Sequence, residues 1–231
     1  MSGTPPAVGI VTALELERGW IDSAVMIEIS GMGRARAEAA TTRLLDRGAT
    51  AIVSWGIAGG LDPELVPGTV VIPGFLIDVD QGSRYADAGW RNRLLARIEN
   101  LVPISVEPMF HADAVVSSPA GKRDLHRRWD VAAVDMESSG IARVAQEAGV
   151  PWLVVRVVVD AADQELPKAV TELSDDEGRL RVGEVAGLVF RPRQWLTLLA
   201  LGRAKAAAAR SMRRVWAAAG PDLAFGEDGD P

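Results

Sequence analysis

AVDMESSGIARVAQEAGVPWLVVRVVVDAAD, Ala133–Asp163, is the stretch that decides the fold class. Its second half, Trp152–Val159, is apolar and β-branched without alternation, which marks a strand covered on both faces. Its first half carries a helical pattern over Met136–Ala148, which Gly149 ends and Pro151 bars from continuing. Reading outward, Ala7–Thr12, Ala24–Ile29, Thr50–Ile57, Thr69–Ile77 and Ser105–Met109 have the same buried-strand character. Arg34–Arg47, Trp90–Asn100 and Ala120–Trp129 read as helices between them. Alternating strands and helices predict an α/β fold with a largely parallel or mixed sheet. No linker or internal repeat divides residues 1–190, so a single catalytic-sized domain is expected there.

Composition narrows the function. The 231 residues are 48% hydrophobic and 24% charged, ordinary globular values that exclude a disordered chain. The absence of cysteine excludes a disulfide scaffold, a thiolate nucleophile and cysteine-ligated metals. His111 and His126 are too few for a histidine-rich site, so neither metal nor cofactor is called for. A net charge of −6 argues against wrapping nucleic acid. No Lys or Arg precedes Arg18, and the longest uncharged stretch, Gly48–Leu61, has 14 residues, too few to span a bilayer. The expectation is a soluble, cytoplasmic protein.

The C-terminal part is different. Arg191 to Arg214 holds seven basic residues and no acidic one, interleaved with Trp195, Leu196, Leu198, Leu199, Leu201 and Met212 on an alanine-rich background. A basic helix over 191–220 is expected, followed by an acidic, flexible tail over 221–231. Two accounts of the helix are open: it packs on the sheet or against another subunit, or it lies in a membrane interface.

Three glycine-and-carboxylate constellations carry the chemistry. In GIVTALELE, Gly9–Glu17, a strand delivers Glu15 and Glu17 just beyond its carboxyl end, where α/β folds bind ligands. A carboxylate there can activate water, or it can simply sit at a helix start favoured by the dipole. In SGMGRARAEAA, Ser30–Ala40, Gly31 and Gly33 open a helix, and Arg34 and Arg36 add positive charge for an anion such as phosphate. Arg36 stands where a dinucleotide fingerprint wants its third glycine, and a sharp turn without a ligand is the competing account. In the third, Gly56, Gly59 and Gly60 of SWGIAGGLDP accompany Asp135 and Glu137, expected to open a helix and point in different directions. Asp160 and Asp163 close the Trp152–Val159 strand, with Arg156 inside it. Buried carboxylates must be paired or functional, so a salt bridge from Arg156 to one of these acids competes with a catalytic role.

Taken in order, GIVTALELE, GMGRARAEAA, SWGIAGGLDPELVPGTVVI, AVDMESSGIARVA and VVRVVVDAAD resemble the nucleoside phosphorylase and nucleosidase superfamily over residues 7–165. The branch most resembled is that of the 5′-methylthioadenosine/S-adenosylhomocysteine nucleosidases. The extension DDEGRLRVGEVAGLVFRPRQWLTLLALGRAKAAAA is similar to the hopanoid-associated phosphorylases, which act on adenosylhopane.

The resemblance implies a single-domain, three-layer α/β/α sandwich around a mixed sheet, usually assembled as a homo-oligomer. It also implies cleavage of the bond between ribose C1′ and a purine, through an oxocarbenium-like transition state. Asp160 then protonates purine N7 or holds that proton. Glu137 binds ribose hydroxyls, with Met136 packing on the sugar. Glu17 holds the attacking water. Val115 falls where the nucleosidases stack an aromatic residue on the base, and the backbone near Val116 reads the base edge. Ile57 and Ser54 stand where relatives place a serine and an arginine for phosphate, so Gly33, Arg34 and Arg36 are the remaining anion site. Val159 replaces the serine before the catalytic Asp. The substrate implied is a small nucleoside, lipid-linked in the hopanoid case, with phosphate or water as acceptor.

Overall fold

A computed structural model describes residues 7–21, 25–165 and 192–226, with side chains in the last segment described from Gly202 onward. Ala24 of one expected strand, residues 166–190 of the expected domain, the side chains of Arg191, Arg193, Trp195, Leu196, Leu198, Leu199 and Leu201, and tail residues 227–231 lie outside the described residues.

Ten strands form one mixed sheet: β1 (Val8–Thr12), β2 (Met26–Ile29), β3 (Ala51–Gly60), β4 (Val70–Val71), β5 (Phe75–Ile77), β6 (Arg84–Tyr85), β7 (Ile104–Ser105), β8 (Met109–His111), β9 (Ala133–Asp135) and β10 (Trp152–Asp160). The main order is β6-β5-β8-β9-β3-β10-β4-β7, with β1 beside β3 and β2 beside β1. The helices are α1 (Glu15–Arg18), α2 (Arg34–Asp46), α3 (Ala88–Ile98), α4 (Pro119–Trp129), α5 (Ser138–Glu147) and α6 (Pro192–Ala219).

β10 shows why its sequence lacks alternation. Leu153, Val155 and Val157 face one buried cluster, with Trp90 and Leu94 of α3 and Met212 and Val215 of α6. Val154 and Val158 face a second cluster, with Ala37 and Leu44 of α2 and Ile141 and Ala145 of α5. Helices on both faces therefore give a three-layer sandwich, and every apolar position of β10 is buried except the half-buried Val159. Each such valine or leucine contributes about 1.5–3 kcal/mol. α2 and α5 approach closely at Gly140, where a Cβ would stand 3.0 Å from the Arg34 carbonyl oxygen.

Two expected strands are each two. Thr69–Ile77 divides into β4 and β5 around Pro73, and Ser105–Met109 into β7 and β8 around Pro108. Proline removes a ladder donor, and at each break the chain leaves the β10 side of the sheet for the β9 side. β9 and β6 are too short to stand out in the sequence.

The C-terminal end departs from the expected tail. Leu223 and Ala224 are buried and hold left-handed backbone at φ 50° and 61°. Trp90 Nε1 donates to the Leu223 carbonyl at 2.7 Å, and Arg93 Nε donates to the Ala224 carbonyl at 3.1 Å. Residues up to Phe225 are thus fastened to α3. The first part of the acidic segment is packed structure rather than free chain because its backbone carbonyls find donors there.

From Gly202 onward α6 likewise spends its apolar side on the core. Ala204, Ala208, Met212, Val215 and Ala219 are buried, while Arg203, Lys205, Arg210, Arg213 and Arg214 are exposed. Met212 lies in the core and not at an interface. Among the described residues no helix is long and apolar enough to cross a membrane.

Candidate active site

The site begins where β3 runs out of neighbours. On one edge β3 pairs with β1 through Ser54, and with β9 only from Gly59. Between them the backbone of Ile57 is satisfied by side chains instead. Glu17 Oε1 accepts the Ile57 N–H at 2.8 Å, and Arg156 Nη1 donates to the Ile57 carbonyl at 3.2 Å. Glu17 Oε2 accepts the N–H groups of Ala13 and Leu14 at 2.7 and 2.9 Å, which fixes the carboxylate where β1 turns into α1. Glu15 falls on the same short helix but is not the buried acid; Glu17 is fully enclosed.

Gly56 is required by that meeting. A Cβ there would overlap the Glu17 carboxylate and stand 2.6 Å from Arg156 Nη1. Without it, Glu17 and Arg156 approach to 4.0 Å.

Arg156 gathers three acids. Its Nε lies 2.9 Å from Asp135 Oδ2, and its Nη2 lies 3.5 Å from Glu137 Oε2. Asp135 closes β9 rather than opening a helix, and with Glu137 it converges on one guanidinium instead of diverging. The reason is the two-residue bend between β9 and α5, which turns both side chains toward β10. Arg156 Nη2 also donates to Ser54 Oγ at 2.8 Å, and Ser54 and Ser138 hydroxyls lie 2.8 Å apart. Asp135 caps α5 by accepting the Ser138 N–H at 3.2 Å.

Glu137 stands at the N-cap of α5 but does not cap it. Its Oε1 accepts the Gly33 N–H at 2.9 Å, at the start of α2. Burial, with Asp135 and Glu17 close by, lifts its carboxyl to about 7 against the pull of Arg156 and the Gly33 N–H. Burial also raises Glu17, opposed by Arg156 and the three backbone donors. Three acids beside one guanidinium cannot all ionise without cost, so at least one retains a proton readily.

Asp160 belongs to a second centre on the same strand. A bulge between Val158 and Asp160 sets it against Gly59, where a Cβ would lie 3.6 Å from its carboxylate oxygens. Gly60 is needed too, since its Cβ would meet the Asp160 carbonyl at 2.8 Å. Asp160 pairs with Lys122 of α4 and not with Arg156. Lys122 is wholly buried, and its Nζ donates also to the carbonyls of Ala161 and Gln164, at 2.8 and 3.1 Å. Burial raises the Asp160 carboxyl while Lys122 opposes the rise.

Two of the three residues considered for an anion are engaged elsewhere. The Gly33 amide faces Glu137. Arg34 Nη1 lies 2.5 Å from Asp78 Oδ2, and its Nη2 lies 3.1 Å from Asp113 Oδ1. Burial opposes ionisation of Asp78, yet bonds from Arg34 and Ser139 hold it down at about 2. Arg36 is half-buried on α2. Val115 is exposed and Val116 packs with Leu125 and Phe110 beside α4; Met136 is half-buried on the bend before Glu137. Asp163 is exposed.

The structure thus brings Glu17, Gly56, Arg156, Glu137 and Gly33 together at one point, and Asp160, Gly59 and Gly60 at another. Gly56 and Gly59 are three positions apart on β3, about 10 Å along the strand. Lys122 was not singled out by the sequence: in GKRDLHRRW it is one cation among several.

Residues 9–191 match the Phosphorylase superfamily. The chain belongs to that superfamily. The 5′-methylthioadenosine/S-adenosylhomocysteine nucleosidase of Anoxybacillus flavithermus is 30% identical over 168 residues, 64% of this chain and 72% of that protein. Futalosine hydrolase of Helicobacter pylori shares the fold with a TM-score of 0.66 at 17% identity, covering 91% of this chain and 97% of that one. The Helicobacter pylori 5′-methylthioadenosine/S-adenosylhomocysteine nucleosidase superposes with a TM-score of 0.67 at 18% identity, covering 92% and 98%. Membership makes this chain an enzyme of the nucleoside phosphorylase and nucleosidase kind.

Proposed function

We propose that the protein cleaves the N-glycosidic bond of a 5′-substituted adenosine, releasing adenine, with water as the acceptor. The observation that carries this reading is the pair of carboxyl centres on the glycine-rich end of β3. One is Glu17 with Arg156, the other Asp160. Loss of a purine from ribose needs a proton on the base and a nucleophile on the opposite face of the sugar.

Asp160, raised by burial, supplies the proton to N7. Glu17 has three N–H donors on its two oxygens, and a carboxylate has about four lone-pair sites, so one is left to hold and deprotonate a water. Glu137 accepts ribose hydroxyls, Met136 gives the sugar apolar contact, and the backbone at Val115–Val116 meets the base. Water is favoured over phosphate because Gly33 and Arg34 already face carboxylates.

Among substrates we favour adenosylhopane, in hopanoid biosynthesis. The likeness of the C-terminal extension to the hopanoid-associated phosphorylases supports it. So do the exposed basic residues Arg203, Lys205, Arg210, Arg213 and Arg214 of α6, whose charge suits an anionic membrane surface. The names of the relatives support methylthioadenosine and S-adenosylhomocysteine as the second reading. Assembly as a homo-oligomer is part of the same proposal.

Incubation of each nucleoside with the purified protein, with and without phosphate, tests the reading. Free adenine with unphosphorylated ribose in both conditions is expected. A ribose 1-phosphate ester formed only with phosphate would replace the acceptor, and tight binding without base release would make the chain a non-catalytic nucleotide-binding module.

A further inference from the structure

Lys122 is a charged residue with no exposed surface, on a helix whose other cations face solvent or the helix ends. All three of its donor directions are used, by Asp160 and by the carbonyls of Ala161 and Gln164. Two of these acceptors are backbone just past the end of β10, so the ammonium is held against the Asp160 carboxyl by the chain that follows Asp160. Among the described residues Lys122 is the one charged group that bears on Asp160; β3 contributes Gly59 on its other side, which carries no charge. Arg156, four residues earlier on β10, is occupied by Asp135, Glu137 and Glu17.

Such a pair has a proton inventory of its own. Ammonium with carboxylate and amine with carboxylic acid have the same number of protons and the same net charge. In a site that excludes water, the cost of the separated charges brings the two forms closer in energy.

We propose that Lys122 is the proton store for base departure, and that Asp160 passes its proton to the leaving purine. This rests on the reading of the protein as an N-ribosyl-cleaving enzyme. The Lys122 Nζ–H bond breaks and an O–H bond forms on Asp160, leaving a neutral amine. Rotation about the soft Cβ–Cγ torsion turns that O–H toward the substrate. It breaks as N7–H forms, while the C1′–N9 bonding pair leaves with the purine. Water adds to C1′ and gives its proton through Glu17 to solvent, and after product release the amine recovers one from solvent. Lys122 acts through Asp160 and is a positioning and proton-supplying residue.

The pH dependence of kcat/KM for base release separates this from a structural role. Lys122→Met leaves Asp160 dependent on its own carboxyl proton. The variant is expected to stay within about five-fold of wild type at pH 5 and to fall at least ten-fold below it by pH 8. Lys122→Arg keeps the positive charge but cannot release a proton, and is expected to fail at pH 8 in the same way. A Lys122→Met profile parallel to wild type, or full activity of Lys122→Arg at pH 8, overturns the proposal. Lys122→Gln serves if Met does not fold. A second readout needs no turnover: in protein with 13C-labelled aspartate carboxyls, the Asp160 midpoint is expected to rise when Lys122 is replaced, and an unchanged midpoint overturns the proposal. Absence of base release by wild type counts against the enzymatic reading alone, and the carboxyl titration then decides on the pair.

Discussion

The Glu17 carboxylate occupies the place of a missing strand: its Oε1 accepts the Ile57 N–H at 2.8 Å where neither β1 nor β9 reaches β3. One side chain therefore closes the sheet and presents an acid at the site. Removing it touches both stability and turnover. Glu17→Gln puts an amide NH2 against two backbone N–H groups that now donate to Oε2. It is expected to cost about 1–3 kcal/mol in urea unfolding. Base release should fall about 10²–10⁴-fold. Wild-type turnover in a destabilised Glu17→Gln would remove Glu17 from the chemistry.

Gly56→Ala separates the two effects in the other direction. The added methyl group meets the tips of Glu17 and Arg156 rather than backbone, so the fold can yield by moving them. A loss of activity larger than the loss of stability is expected, on the order of 10²-fold against about 1–3 kcal/mol. Steady-state rates and thermal melts of the one variant check both.

Glu137 makes stability depend on pH in an unusual direction for a carboxyl. Its carboxyl is held at about 7 in the folded protein, above the ordinary 4.5. Between those values the native state keeps a proton that the unfolded chain has released. The contribution is fully present below about pH 4.5 and is lost as pH rises through about 7. Its full size is on the order of 3 kcal/mol. Glu137→Gln should flatten this part of the unfolding free energy between pH 4.5 and 7.5. Equal slopes for the two proteins would show that Glu137 titrates as an ordinary acid.

The C-terminal turn is expected to matter as much as a core helix. Leu223 is fully buried, and its carbonyl accepts the Trp90 Nε1–H. Leu223→Ala should cost about 2–5 kcal/mol, and removing residues from 221 onward at least as much. A truncated protein with an unchanged melting temperature would contradict this packing.

The sequence displayed the layers better than the junctions. β10 was legible because seven apolar residues, interrupted only by Arg156, have no other use than a strand buried on both sides. Pro73 and Pro108 were visible, yet a proline says only that a ladder bond is lost, and not that the chain changes sides of the sheet. Glu17, Glu137 and Asp160 were singled out because each lies at a strand end or in a motif. Their partners were harder. Arg156 stood out as a charge inside an apolar strand, whereas Lys122 sits among Arg123, Arg127 and Arg128 on a helix that reads as solvated. Only the fold reveals that this one cation points inward. Membrane contact by α6 was suggested by its basic residues together with Trp, Leu and Met, and among the described side chains Met212 and Val215 are buried in the core instead.

The most direct measurement is the rate of adenine release by Asp160→Asn beside wild type, on methylthioadenosine and on adenosylhopane. The side chain keeps its size but cannot deliver a proton, so a fall of about 10²–10⁴-fold in kcat is predicted with each substrate the wild type accepts. Adenine released by Asp160→Asn at the wild-type rate would contradict the account.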